Sequence, residues 1–304
     1  MTESPLNSTP VALEAVVATR PVYWSVRREL WENRSLYLAP AIVASFVLFG
    51  FMISLITLPR RMNAVLALDA AKERATVALP FSVAAGLTLL TAFIVGVFYC
   101  VDALNGERRD RSILFWKSLP VSDRTTVLTK ASIPLVVLPL YIFAIIVVVQ
   151  LIMLMMSTVV LLGSPKSLVV LWTNVKFVQS TLALFYSLIA IALWHAPIYG
   201  WFLMISAWAR RATLLWAMLP ALAISMLEKM AFNTSHFSSL MGYRVIGWFN
   251  LAFIEQSHGT VVMDPLTALT PGRFLTSAGL WLGLIFAAAF FAAAVRLRHN
   301  REPI

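Results

Sequence analysis

The chain has 304 residues, of which 60% are apolar and 12% charged, and its mean hydropathy is +0.82. Soluble domains run nearer half apolar and a quarter charged. This composition excludes the one or two water-soluble globules that the length alone suggests and requires lipid as the solvent. The net charge of +10 arises from 24 Lys and Arg against 14 Asp and Glu. These bases flank apolar runs, a pattern of membrane topology and headgroup contact rather than of nucleic-acid binding.

No cleavable signal peptide is visible in the sequence. Residues 11–18 are apolar but short and interrupted by Glu14, so the first long apolar run is expected to stay as an anchor. Ahead of that run, residues 20–36 carry one apolar strip of Tyr23, Val26 and Leu30 and a second of Trp24 and Trp31. Arg27 and Arg34 project between the strips, while Ser25, Arg28, Glu29 and Glu32 face away. The pattern predicts an interfacial helix with tryptophans at headgroup depth and snorkelling arginines. The alternative is that Arg27 or Arg34 meets a protein partner.

Six segments reach the roughly 20 apolar residues needed to span a bilayer: 37–58, 79–101, 132–162, 181–209, 213–230 and 274–295. The third and fourth exceed the membrane thickness, which predicts tilt, kinks or extension into water. Pro134, Pro139, Pro197 and Pro220 are kink candidates because each removes a helix donor. The lone Cys100 excludes an intrachain disulfide and a Cys-rich zinc site; it ends an apolar run and reads as a small buried hydrophobe. The flanks 1–36, 102–131, 210–211 and 296–304 hold 15 of the 24 Lys and Arg. The positive-inside rule then places both termini and the 102–131 loop in the cytoplasm. The predicted fold class is all-α: a single transmembrane domain over 1–304, divided into 1–36, 37–101, 102–131, 132–230, 231–273 and 274–304.

The 102–131 loop is the most informative polar stretch. Asn105 or Gly106 can open a short helix, Pro120 stops it, and Ser122 or Asp123 can cap the helix entering the third span. Its middle is Ile113, Leu114, Phe115 and Trp116, which also suits a helix lying on the bilayer. Between the fifth and sixth spans, 240–253 is rich in Leu, Val, Ile, Trp and Phe but too short to cross. It predicts a re-entrant or interfacial helix, followed by turns at Gly259, Pro265 and Pro271-Gly272.

These features coincide in one family. The chain resembles a membrane subunit of an ABC-2-type transporter, the six-span exporter permeases. The resemblance rests on Glu107-Arg108, the short hydrophobic helix, the corner Ser118-Leu119-Pro120-Val121-Ser122 and Lys130 at the third span. It implies two copies of this subunit, or one with a homologue, docked on separate ATP-binding subunits and surrounded by membrane lipids. It implies a coupling helix with Glu107, Arg108, Arg111, Phe115, Trp116 and Lys117 as the residues that meet the ATPase. ATP and Mg would bind in that partner; no Gly-x-x-x-x-Gly-Lys-[Ser/Thr] occurs in this chain, which is expected to bind no cofactor or metal and to catalyse no reaction itself. The implied pathway borders spans two and five, with Thr88, Thr91, Tyr99, Trp216, Met218 and Ser225 as possible lining; plain helix packing needs the same residues.

Two other classes compete. A membrane-embedded enzyme needs convergent polar groups at depth, and the candidates are His195, Gln150, Glu228, His236 and His258. His195 is expected to bond carbonyls freed by Pro197, and Glu228 to be a solvated helix end. A secondary transporter usually shows repeats and midplane ion ligands, and neither is evident between the two halves.

Overall fold

The computed structural model describes residues 21–110, 122–253 and 265–300. Their regular structure is helical, with one isolated antiparallel bridge between Phe253 and Leu269 and no strand among the described residues. Six of the helical segments are long and apolar enough to cross a membrane, and the molecule has the architecture of a multi-pass membrane protein.

Helix α1 (Pro21–Glu32) starts on a proline, whose missing donor costs nothing at a first helical position. A break at Asn33 and Arg34 separates it from α2 (Ser35–Ser54). The first crossing continues into α3 (Leu58–Val65), and α4 (Ala70–Asp102) returns. Helix α5 (Asn105–Arg109) starts where the loop helix is expected and ends at Arg109, short of Pro120. Residues 111–121, with Arg111, Phe115, Trp116 and Lys117, lie outside the described residues. Helix α6 (Asp123–Ser132) begins as its sequence requires: the Ser122 hydroxyl accepts the Thr125 amide at 3.1 Å.

Between α6 and α7 (Leu138–Val160), residues Ile133–Val137 form a wider π turn around Pro134. A proline amide donates no hydrogen bond, so the ladder loosens there. Helix α8 (Pro165–Val175) ends on Lys176 in the left-handed region (φ 43°), and α9 (Phe177–Trp208) follows. Helix α10 (Thr213–Phe232) ends on left-handed Asn233, a residue type that tolerates that conformation. Helix α11 (His236–Ala252) is the expected non-spanning segment. A single turn, α12 (Pro271–Leu275), precedes α13 (Ala278–Asn300), so the last crossing starts at Ala278 rather than at residue 274.

Helices α9 and α13 form the most extensive pairing. Gly200 permits it: a Cβ there would lie 3.2 Å from the Phe290 Cβ and 3.4 Å from the Ala287 carbonyl. Small residues let helices approach where lipid supplies no hydrophobic drive. By contrast, only 6% of the most apolar window of α10 is buried inside the protein, so that helix stands on the flank of the bundle. Helix α1, helix α5, the start of α6 and the C-terminal end of α13 meet at one end, the terminal end.

Candidate functional site: a buried ion cluster

Val26 and Leu30 of α1 pack against the core at the terminal end. Glu29 lies three residues after Val26 and one before Leu30, so the same helical rotation turns it inward. Glu29 is 2% exposed, where the sequence pattern places it on the outward face. The correction has an electrostatic cause, because the buried carboxylate is met from three sides. Its Oε1 accepts the Lys130 ammonium at 2.7 Å and Arg28 Nη2 at 2.9 Å; its Oε2 accepts the Tyr99 hydroxyl at 2.8 Å.

Glu107, on α5, is the second hub. Its Oε1 pairs with Arg28 Nη2 at 2.9 Å and with Lys130 Nζ at 3.1 Å, and its Oε2 with Arg298 Nη1. Arg298 reaches on through Nε to Asp123 Oδ1 at 3.0 Å, beside His299 at 3.3 Å from the other Asp123 oxygen. Three carboxylates (Glu29, Glu107 and Asp123) thus face three permanent cations (Arg28, Lys130 and Arg298). This neutrality matters because buried charges are tolerated only when paired and hydrogen-bonded. Glu32 forms the rim, 3.3 Å from Arg28 Nε. Partial burial pushes its carboxyl up from the ordinary value, against the pull of Arg28.

Arg108 is 2% exposed and points the other way, into the end of α9. Its Nη1 donates to the Ala207 carbonyl at 2.7 Å and to Ala209 at 3.3 Å. A cation at these orphan carbonyls satisfies them and complements the helix dipole. Ser206 Oγ accepts the Leu104 and Asn105 amides, each at 3.0 Å. The loop helix is therefore joined to α1, α6, α9 and α13. Glu107 and Arg108, two of the six residues expected to meet a partner, are spent on contacts within the chain.

The interfacial-helix residues are placed differently. Trp24 and Trp31 are exposed, Trp31 by 67%. The Arg27 guanidinium lies 5.4 Å from the Trp24 ring centre and 4.9 Å from that of Trp31, in cation–π range of both. Arg34 is exposed at the break before α2.

The possible pathway residues are each bonded within the chain or exposed on a helix face. Thr88 is buried and bonds the Ala84 carbonyl of its own helix, and Thr91 bonds Leu87 likewise. Tyr99 belongs to the ion cluster. Trp216 and Met218 are 44% and 43% exposed on the flank of α10, and Ser225 bonds back to Ala221.

Of the candidate polar groups of the competing readings, His195, Glu228 and Gln150 have partners within the chain. His195 places Nδ1 3.0 Å from the Ile191 carbonyl and Nε2 3.0 Å from that of Val245 on α11. These replace the carbonyl that Pro197 frees, which belongs to Leu193. Glu228, near the end of α10, is engaged as well as solvated: its carboxylate accepts the Thr234 hydroxyl and the amides of His236 and Phe237 at 2.7–2.8 Å. It caps the start of α11, where an anion is stabilised by free amides. Gln150 donates to the Phe81 carbonyl at 3.3 Å, and His258 lies outside the described residues.

The sequence pattern missed Glu29 and Arg298 as cluster members and assigned Tyr99 to a pathway. The available signal was position: Glu29, Lys130 and Arg298 each adjoin an apolar stretch where a charge is costly without a partner. No family model, characterised protein or solved structure matches the chain.

Proposed function

We propose that this chain is the membrane subunit of an ABC-2-type exporter, which forms the substrate pathway and is driven by separate ATPase subunits. The observation that carries the reading is the buried ion cluster. It ties the short loop helix α5 to the first helix and to the end of the last crossing, so a push on the loop is delivered to elements far apart in sequence. In this reading, both termini and the terminal end face the cytoplasm, and the chain resides in the cytoplasmic membrane. Two copies, or this chain and a homologue, sit above two ATPases.

The reading divides the loop into two roles. Glu107 and Arg108 are positioning residues that hold α5 against the bundle, while Arg111, Phe115, Trp116 and Lys117 meet the ATPase. ATP energy moves cargo only if access or affinity differs between two states, and the cluster makes the whole terminal end one body in that change.

The test is purification of the full chain from its native membrane with identification of co-purifying proteins. The expected result is a soluble ATPase with a phosphate-binding loop, lost when residues 111–117 are replaced by a neutral linker. In the reconstituted complex, Trp116→Ala with Arg111→Glu is expected to abolish coupled transport while leaving the protein folded and inserted. Recovery of the chain alone under conditions that preserve membrane complexes, or unchanged transport by the double variant, overturns the proposal.

A further inference from the structure

At the end of the bundle opposite the ion cluster, one cation is seated without a carboxylate. Arg244 lies on α11, which does not cross the membrane. Its Nη1 donates to the Gly279 carbonyl of α13 at 2.9 Å, and its guanidinium carbon sits 4.6 Å from the centre of the Trp194 ring. The seat exists because α13 carries Gly283 there: a Cβ at that position would overlap the guanidinium. Trp194 also donates Nε1 to the Arg244 carbonyl at 2.9 Å, so ring and backbone fix the side chain together. No Asp or Glu pairs with it among the described residues, and Nη2, buried against Gly283, has no hydrogen-bond partner. A cation held this way contrasts with Arg28, Lys130 and Arg298 at the other end of the molecule, each of which meets a carboxylate.

The surroundings specify what balances the charge. The two helices that frame Arg244 expose apolar side chains, Ile246 and Phe249 on α11 and Leu282 and Phe286 on α13. A half-buried guanidinium whose charge no described carboxylate balances, between surfaces suited to acyl chains, is complementary to an anionic headgroup on a hydrocarbon tail. We propose that Arg244 is the headgroup site of an anionic bilayer lipid, whose phosphate pairs with the guanidinium and whose chains lie along α11 and α13. Pairing with phosphate compensates a charge that is otherwise expensive at membrane depth. This inference is independent of the exporter reading.

The experiment uses the full chain in nanodiscs of equal parts phosphatidylglycerol and phosphatidylcholine, with retained lipid identified by native mass spectrometry. The wild type is expected to retain phosphatidylglycerol over phosphatidylcholine by roughly tenfold, as one charge-assisted hydrogen-bond site allows. Arg244→Gln is expected to lose that preference and Arg244→Lys, which keeps the charge without the fork, to keep part of it. Equal retention of both lipids by the wild type overturns the proposal even if Arg244→Gln fails to fold. So does a preference that survives in Arg244→Gln. Release of the lipid by inorganic phosphate alone overturns the lipid assignment in favour of a free anion.

Discussion

Lys130→Met is expected to destabilise the protein by about 3–5 kcal/mol, the range measured when one partner of a buried ion pair is removed. Lys130 is 2% exposed and contacts both carboxylate hubs, Glu29 at 2.7 Å and Glu107 at 3.1 Å. Methionine fills a similar volume but leaves the cluster with one uncompensated negative charge. The paired variant separates charge from packing. Lys130→Met with Glu29→Gln restores neutrality, and the glutamine amide oxygen still accepts the Tyr99 hydroxyl. The double variant is expected to recover about half of the loss, because residues that share a buried network are strongly non-additive. Thermal unfolding in detergent micelles, followed by retention of the monodisperse peak on size exclusion, reads both effects. If the double variant is as unstable as the sum of the singles, the six charges act independently and no neutral cluster holds the terminal end together.

Trp194→Ala is expected to cost about 3–5 kcal/mol, as large-to-small substitution of a buried aromatic does. Trp194 is 0% exposed, and its ring joins three elements. It stands edge-on to Tyr243 at 5.3 Å, packs against Phe274 at 6.2 Å and carries the Arg244 cation. Alanine removes these contacts and the indole donor to α11, leaving His195, the Glu228 cap and the hydrogen bonds of Arg244 to Gly279 and of Thr270 to Leu251 as fixings of that helix. Trp194→Phe keeps most of the ring volume and loses the hydrogen bond, so its expected cost is about 1 kcal/mol. The same unfolding assay orders the two variants, and labelling of a cysteine placed at Ala252, which is 0% exposed, reports whether α11 has detached. Equal stability of Trp194→Ala and wild type would mean that α11 is held by the Glu228 cap and its own docking instead.

The six crossings were legible because spanning length is a one-dimensional property: about 20 apolar residues announce themselves without reference to any neighbour. The start of α6 was legible for the same reason, since Ser122 caps amides only two to four residues away. Helix α11 was legible as an apolar stretch too short to cross. The elements misplaced were those whose partners are remote. The helical pattern of residues 20–36 put Glu29 with the outward polar face, because a strip of three apolar residues does not disclose that a lysine 101 positions later will occupy the facing site. Glu107 and Arg108 read as surface charges on a polar loop, although the first is held by Arg298, 191 residues away, and the second by the end of α9.

The sequence by itself therefore determined that the chain lives in lipid, how many times it can cross, and where its helices are capped and interrupted. Hydrophobic length, capping donors and proline's missing amide all act within a few residues, so their effects are written locally. Only the tertiary structure decided which charges are buried and which are free. A buried charge is tolerated only beside its counter-charge. The counter-charges of Glu29 and Glu107 are brought in by the packing of α1, α5, α6 and α13, whereas Arg244 is brought to two glycines and a tryptophan ring.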